Sequence, residues 1–334
     1  MLNASARHRV RARRDHASFI GLDLLRIMTT SGGRTTLIDT DPGIDDALAI
    51  LIALASPEMR VCGLTTVAGN VGIETTTRNA ARLLALANRP DIPVLRGSEA
   101  PLARPPRQPL DIHGQDGVGG IPLPEPQAPP MGSSAVAWMA EQLMEHPPGM
   151  LDILALGPLT NLARLVRTHP EAARRIGRLI AMGGAIREPG NMGPRAEFNM
   201  ATDPEAAAVV LEAGLPTTLI PLDVTRRVRA TRAFSARLAA RGTPAASAAA
   251  ALIDAYFAST SGPDSRPLHD PCVMLFAIRP HLFACEALPL RVELQGADAG
   301  ALVLDERQGT PVTVAMGVDA PQALELAGQR LAPA

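Results

Sequence analysis

The chain has 334 residues, 46% of them hydrophobic and 19% charged, with a formal net charge of -1, which suits one large α/β domain or two small ones. That charge balance gives no electrostatic footprint for a polyanion, and 2% aromatic residues leave no stacking platform for nucleic acid. Lysine is absent, and Cys62, Cys272 and Cys285 are too few and too scattered for a disulfide framework or a zinc cluster, which fits a reducing cytoplasm.

No apolar run reaches the roughly 20 residues that span a bilayer, so no membrane partner is expected. Arg7 to Arg14 is basic, Asp23 and Arg26 interrupt the apolar piece from Phe19 to Met28, and no small-residue cleavage site follows. Residues 1–33 are therefore read as a disordered extension, or as a mis-called start with Met28 the true one, ahead of a single domain at 34–334.

From Thr35 onward, apolar strand-like runs alternate with helical patterns. This is the pattern of a mostly parallel open sheet with helices on both faces, a Rossmann-like α/β fold. Thr36 to Ile38 reads as a buried strand and Asp45 to Ala55 as an apolar helix. Arg60 to Thr66 is the next strand, Ile73 to Asn88 the next helix, and Pro93 to Leu95 a short third strand. Pro101 to Pro130 is rich in Pro and Gly, without period, and its core Asp111-Ile112-His113-Gly114-Gln115-Asp116-Gly117 suits either a lid or a solvated loop. Alternation resumes with a helix at Ser134–Glu145, a strand at Leu151–Ala155, a helix at Thr160–Val166 and a strand at Leu179–Met182. Pro204 to Glu212 is helical with Asp203 as N-cap, and Thr217 to Pro221 is a strand ending at Asp223. Ala233 to Phe257 reads as largely helical and Ala-rich, and Leu290–Leu294 and Val312–Ala315 as strands. Trp138 sits on an apolar helical face and belongs to the core.

The polar residues of interest all follow predicted strands, at the edge where open α/β sheets bind ligands. The main group is Asp39-Thr40-Asp41-Pro42-Gly43-Ile44-Asp45-Asp46, with four carboxylates in eight residues. Capping explains either helix-start acid alone; the whole cluster repels itself unless a cation compensates, and hard oxygen ligands favour calcium or magnesium. An EF-hand is excluded because the twelfth position from Asp39 is Ile50. A haloacid-dehalogenase-type phosphatase fits poorly, since Gly43 stands where Thr or Val is wanted and the chain has no lysine. Leu268-His269-Asp270-Pro271 reads as a helix-start cap or, beside a metal, as a ligand with a proton donor. Asn191 and Glu197-Phe198-Asn199 are turn residues or a set of donors and acceptors for sugar hydroxyls.

The order of these motifs, with Thr65-Thr66-Val67-Ala68-Gly69-Asn70, His113-Gly114, Gly157-Pro158-Leu159-Thr160-Asn161 and Met182-Gly183-Gly184 between them, resembles the inosine-uridine-preferring nucleoside hydrolases over roughly Thr35 to the C-terminus. The resemblance implies hydrolysis of the N-glycosidic bond of ribonucleosides to ribose and free base. It implies that Asp39, Asp46, Asp270 and the carbonyl of Leu156 hold calcium (Ca2+), with Asp39 as general base toward a cation-activated water and His269 as general acid. Asp45, Asn70, Asn191, Glu197 and Asn199 would grip the ribose, Asp41 would support the cluster from behind, and His113 would sit on a loop over the site. It also implies a homodimer or homotetramer. The family's aromatic-rich helix corresponds to Tyr256-Phe257-Ala258-Ser259-Thr260-Ser261-Gly262, a departure that implies a base pocket more open or lined from elsewhere. A hydrolase of a modified nucleoside or another ribosyl compound, and a silent nucleoside-binding relative, are the rival readings. If residues 1–27 lie outside the domain, a chain starting at Met28 folds and turns over as the full chain does, measured by thermal melting and ribose release; loss of either defeats that boundary.

Overall fold

Apolar residues occupy both faces of the strands, and this dictates the layers. Leu37, Ile153, Leu179 and Leu219 belong to one apolar cluster; their chain neighbours Ile38, Leu154, Ile180 and Ile220 belong to another. Side chains alternate along a strand, so the sheet is buried on both sides. A computed structural model of the chain describes residues 32–106, 112–131, 134–260, 262 and 264–333. The expectations for residues 1–31 lie outside that set.

Within Arg34–Ala334, β1 (Arg34–Thr40), β2 (Met59–Thr66) and β3 (Val94–Arg96) are joined through α1 (Ile44–Leu54) and α2 (Ile73–Leu86). Beyond the Pro- and Gly-rich segment come α3 (Ala135–Glu145), β4 (Leu151–Ala155), α4 (Thr160–Thr168), α5 (Pro170–Ala173) and β5 (Ile176–Met182). Next are α6 (Phe198–Thr202), α7 (Pro204–Glu212), β6 (Thr217–Ile220) and α8 (Leu222–Thr225). The last third holds β7 (Arg229–Thr231), α9 (Arg232–Ala239), α10 (Pro244–Ser259), β8 (Ser265–Pro267) and α11 (Pro271–Ile278). It ends with β9 (Phe283–Val292), β10 (Leu302–Leu304), β11 (Thr310–Val318) and α12 (Ala320–Leu331).

The main sheet runs β10-β9-β11-β6-β5-β4-β1-β2-β3, parallel from β11 to β3, with β9 antiparallel to both its neighbours. Residues of α1, α10, α11 and α12 pack on one face, and those of α3, α4 and α7 on the other. From β1 the chain moves outward to β2 and β3, then returns to place β4 on the other side of β1. The carboxyl ends of β1 and β4 therefore form the topological switch point, where the crossovers diverge and leave a crevice.

Most expected elements form within a few residues of their expected bounds, and α7 matches at both ends, with Asp203 accepting from the Ala206 amide at 3.0 Å. The largely helical stretch expected over 233–257 is helical, as two helices, α9 and α10. Gly242 has φ of 70°, Thr243 caps α10 by accepting from the Ala246 amide, and Pro244 opens it. The Pro101–Pro130 segment contains no helix or strand among its described residues, yet it is tied down. Val118 and Leu123 enter the core, and Asn79 Nδ2 donates to the carbonyls of Pro42 and Asp116.

Trp138 is buried in α3 as expected, with its ring over Gly63 of β2; a Cβ on Gly63 would lie 2.3 Å from Cη2. Gly63→Ala should therefore cost about 1–3 kcal/mol, read from the denaturant midpoint, and Trp138→Leu in the same chain should recover part of it. An unchanged midpoint in the single variant would mean that α3 shifts freely on the sheet.

Candidate active site

Asp39 is the penultimate residue of β1, held by the sheet on both sides. It pairs with Thr65 of β2 and Ala155 of β4, and its carbonyl accepts from the Leu156 amide at 2.8 Å. Its side chain is fully buried. Oδ1 accepts from Thr65 Oγ1 at 2.6 Å and Asn161 Nδ2 at 2.8 Å, while Oδ2 has no hydrogen-bond partner. Beyond it, Asp46 sits in the first turn of α1. Its Oδ1 accepts from Thr40 Oγ1 at 2.6 Å, and its Oδ2 from the Gly43 amide at 3.1 Å and Asn70 Nδ2 at 3.0 Å. Asp46 thus does cap the helix, whereas Asp45 takes the His269 amide on Oδ2 at 3.2 Å and leaves Oδ1 unpartnered.

Asp41 lies behind this pair, wedged where a Cβ on Gly69 or Gly157 would come within 2.1–2.3 Å of its carboxylate. Its Oδ2 accepts from the Asn70 amide and its Oδ1 is unpartnered. Asp270 stands at the start of α11 and makes no cap hydrogen bond, so the helix-start role that a His-Asp pair could have filled is not what holds it there.

Burial without a counter-charge dominates the electrostatics. It pushes Asp39 and Asp45 up to about 7, the latter aided by Asp46, and raises Asp41 and Asp270 well above the usual carboxylate range. For Asp270 the neighbouring Asp46, Asp45 and Asp41 add to that rise. Among the described residues, no three His, Cys, Asp or Glu side chains already stand as a ready metal-ligand group. The case for a cation lies in the unpartnered oxygens: three buried carboxylate atoms, on Asp39, Asp41 and Asp45, lack any hydrogen-bond donor. An all-oxygen set of this kind fits a hard divalent ion. Leu156, at the carboxyl end of β4, offers a carbonyl that accepts from Asn199 Nδ2 at 2.6 Å and keeps a second lone pair.

A cavity of about 90 Å³ opens in front of these groups, lined by Asp45, Asn70, His113, Leu156, Asn191, Glu197, Asn199, His269 and Asp270. The structure thus gathers most of the sequence-derived set around one crevice, while Asp39 and Asp46 do not line it and are fully buried. A roomier hollow of about 200 Å³, near Leu84, Ile92 and Met131, has Asp91 as its titratable lining group, and Asp91 is already ion-paired to Arg89 at 2.8 Å.

Three residues have more to do than their expected contact with sugar. Glu197 caps α6: its carboxylate accepts from the Asn199, Gly184 and Met200 amides at 3.0, 3.0 and 3.2 Å. Asn199 turns its amide toward the Leu156 and Met182 carbonyls, and Asn70 braces the aspartate loop. His113 receives the Ile44 amide on Nδ1 at 3.1 Å, which places its hydrogen on Nε2, and burial lowers its pKa. His269 Nδ1 lies 2.8 Å from Thr225 Oγ1; burial, then Arg226 and Arg229, push it down to about 3, so the ring is neutral.

Sequence reasoning missed the residues that hold the aspartates and His269, namely Thr40, Thr65, Asn161 and Thr225. Thr40, Thr65 and Asn161 stand within motifs that were recognised, but a motif does not say which side chain bonds which. Of the stretch Tyr256–Gly262, Tyr256 lines the cavity, and Ile112, Met182 and Phe198 line it from elsewhere in the chain.

The chain matches the family model described as inosine-uridine preferring nucleoside hydrolase over residues 36–325. It is 40% identical over 305 residues to the pyrimidine-specific ribonucleoside hydrolase RihA of Klebsiella pneumoniae, covering 89% of this chain and 97% of that protein. The fold is similar to that of a plant nucleoside hydrolase, with a TM-score of 0.86 at 34% identity, over 90% of this chain and 99% of the other. It is also similar to a purine-preferring ribonucleoside hydrolase from Gardnerella vaginalis, with a TM-score of 0.85 at 30% identity, over 90% and 98% of the two chains. With a family match across nearly all of Arg34–Ala334 and the aspartate-lined crevice at the switch point, the chain belongs to the inosine-uridine preferring nucleoside hydrolases.

Proposed function

We propose that this protein hydrolyses pyrimidine ribonucleosides to ribose and free base, with Asp39 as general base and His269 as hydrogen donor to the departing base. The observation that carries this is the small cavity lined by Asp45, Asp270 and His269, together with the unpartnered buried oxygens of Asp39, Asp41 and Asp45. Breaking the bond from C1′ to the base nitrogen builds positive, oxocarbenium-like charge on the ribose and negative charge on the base. The carboxylates of Asp45 and Asp270 line the cavity, where they would stabilise the positive charge on the sugar. A calcium ion held by Asp39, Asp46, Asp270 and the Leu156 carbonyl would supply acidification and alignment of a water. Asp39 has Oδ1 fixed by two donors and Oδ2 free, so Oδ2 is the atom that takes the proton. Asn70, Asn191, Glu197 and Asn199 supply donors and acceptors for the hydroxyls.

His269 is neutral at rest, so it acts through an N–H hydrogen bond that strengthens as the base leaves with negative charge. The pyrimidine assignment is supported by the likeness to RihA over 97% of that protein and by the small size of the cavity that Ile112, Phe198 and Tyr256 line.

Ribose release from uridine, cytidine, inosine and their deoxy forms, with calcium and after chelation, tests the reading. Fast chelator-sensitive release from uridine and cytidine is expected, and Asn in place of Asp39 should slow it at least about a thousandfold with the fold intact. Faster release from inosine would reverse the base assignment. No release from any nucleoside would leave a modified ribosyl substrate or a silent relative.

Cation dependence also has a readout that needs no turnover. Asp39 and Asp45 titrate near 7 when folded, against 3.8 as the reference value, so the folded state holds more protons and stability falls as pH rises through 7. At pH 6.5 an ordinary histidine is half protonated, and the lowered His113 and His269 oppose the trend, but two carboxylates titrating near 7 outweigh them between pH 6.5 and 8.5. Cation-free protein should therefore melt higher at pH 6.5 than at 8.5, and added calcium should raise the melting temperature most at 8.5. A melting temperature indifferent to calcium at pH 8.5 would remove the cation from the site.

A further inference from the structure

We propose that the short helix α8 is the positioning element of the site: Thr225 sets which nitrogen of His269 carries its hydrogen, and Asp223 fixes the loop that carries Asn191. The inference rests on the reading of His269 as hydrogen donor to the departing base. Helix α8 follows β6 at the carboxyl edge, and both side chains are buried, with Thr225 0% and Asp223 2% exposed.

Thr225 Oγ1 lies 2.8 Å from His269 Nδ1. A hydroxyl has one hydrogen and can give it to Nδ1, which leaves the imidazole hydrogen on Nε2. Nε2 is then the donor available to the cavity that His269 lines. The His269 backbone is held separately, through its amide to Asp45 at 3.2 Å, so Thr225 governs the ring rather than the chain.

Asp223 serves the other half of the site. Its two oxygens accept from the Ile186 and Arg187 amides at 2.8 and 2.7 Å, where the segment leading to Asn191 begins. Arg226, one residue beyond α8, donates to the carbonyls of Pro189 and Gly190 at 2.7 and 3.1 Å, and the Leu222 amide donates to Gly184 at 2.9 Å. One turn of helix therefore sets the sugar-side loop and the imidazole together.

The test uses the full chain with calcium and two substrates, uridine and nitrophenyl riboside, whose leaving group needs no proton. Thr225→Val removes the hydroxyl at nearly equal volume and Thr225→Ser keeps it. For uridine, kcat should fall about ten- to a hundredfold in the valine variant and stay within about threefold of wild type in the serine variant. Nitrophenyl riboside should be turned over almost unchanged by both. Equal loss on the two substrates, or no loss on uridine, overturns the role of Thr225. Asp223→Asn should raise KM for uridine with kcat little changed, and an unchanged KM overturns its role. His269→Ala in parallel separates the two levels. If it shows no selective loss on uridine, the reading of His269 itself fails; if it does while Thr225→Val does not, only the assignment to Thr225 fails.

Discussion

Everything distinctive in this structure follows from the crowding of like charge at the carboxyl end of one strand. Asp39, Asp41, Asp45, Asp46 and Asp270 are all at most 6% exposed. Five carboxylates that close cannot all ionise in a dry site without positive charge. The fold meets the difficulty in two ways. It surrounds most of the oxygens with N–H and O–H donors, among them Thr40, Thr65, Asn70 and Asn161, and it leaves one buried oxygen each of Asp39, Asp41 and Asp45 unpartnered.

The sheet topology makes that concentration possible. β1 is central, with β2 on one side and β4 on the other, so three strand ends deliver polar groups to a single crevice. Thr65 comes from β2, and Leu156 and Asn161 come from beyond β4. Two apolar layers of helices clamp the strands, and the cost of the charged crevice is spread over a large core. The donors to Asp39 are rigid because each is itself part of, or next to, a paired strand or a capped helix.

How much of this could be read from residues alone depends on the range of the interaction. Strand and helix identities rest on local period, so the alternation from Thr35 onward and the Asp203 cap were legible. The split between α9 and α10 was legible too, in Gly242-Thr243-Pro244, but the Ala-rich pattern masked it. Helix α11 is apolar nearly all round and so shows no helical period, whereas the C-terminal α12 opens on Asp319-Ala320-Pro321, a local start cue. Site residues were legible as motifs after strands. Their partners were not, because the bond from Asn161 to Asp39 joins positions 122 apart and that from Thr225 to His269 joins positions 44 apart. Nothing local in the sequence encodes such pairs.

The opposite edge of the same sheet provides an internal comparison. Asp152, near the start of β4, is fully buried like Asp39, yet Arg34 and Arg178 bind its carboxylate at 2.7–2.8 Å. There the chain neutralises a buried acid with its own guanidinium groups, as a structural charge requires. At the carboxyl edge the donors are hydroxyls, amides and backbone N–H groups, which stabilise a carboxylate without cancelling its charge. Arginine is plentiful in this sequence, and Arg226 and Arg229 act on His269 nearby. The crevice therefore holds carboxylates that only an added positive charge can keep ionised together, in the place where a cation and a developing oxocarbenium ion would both supply it.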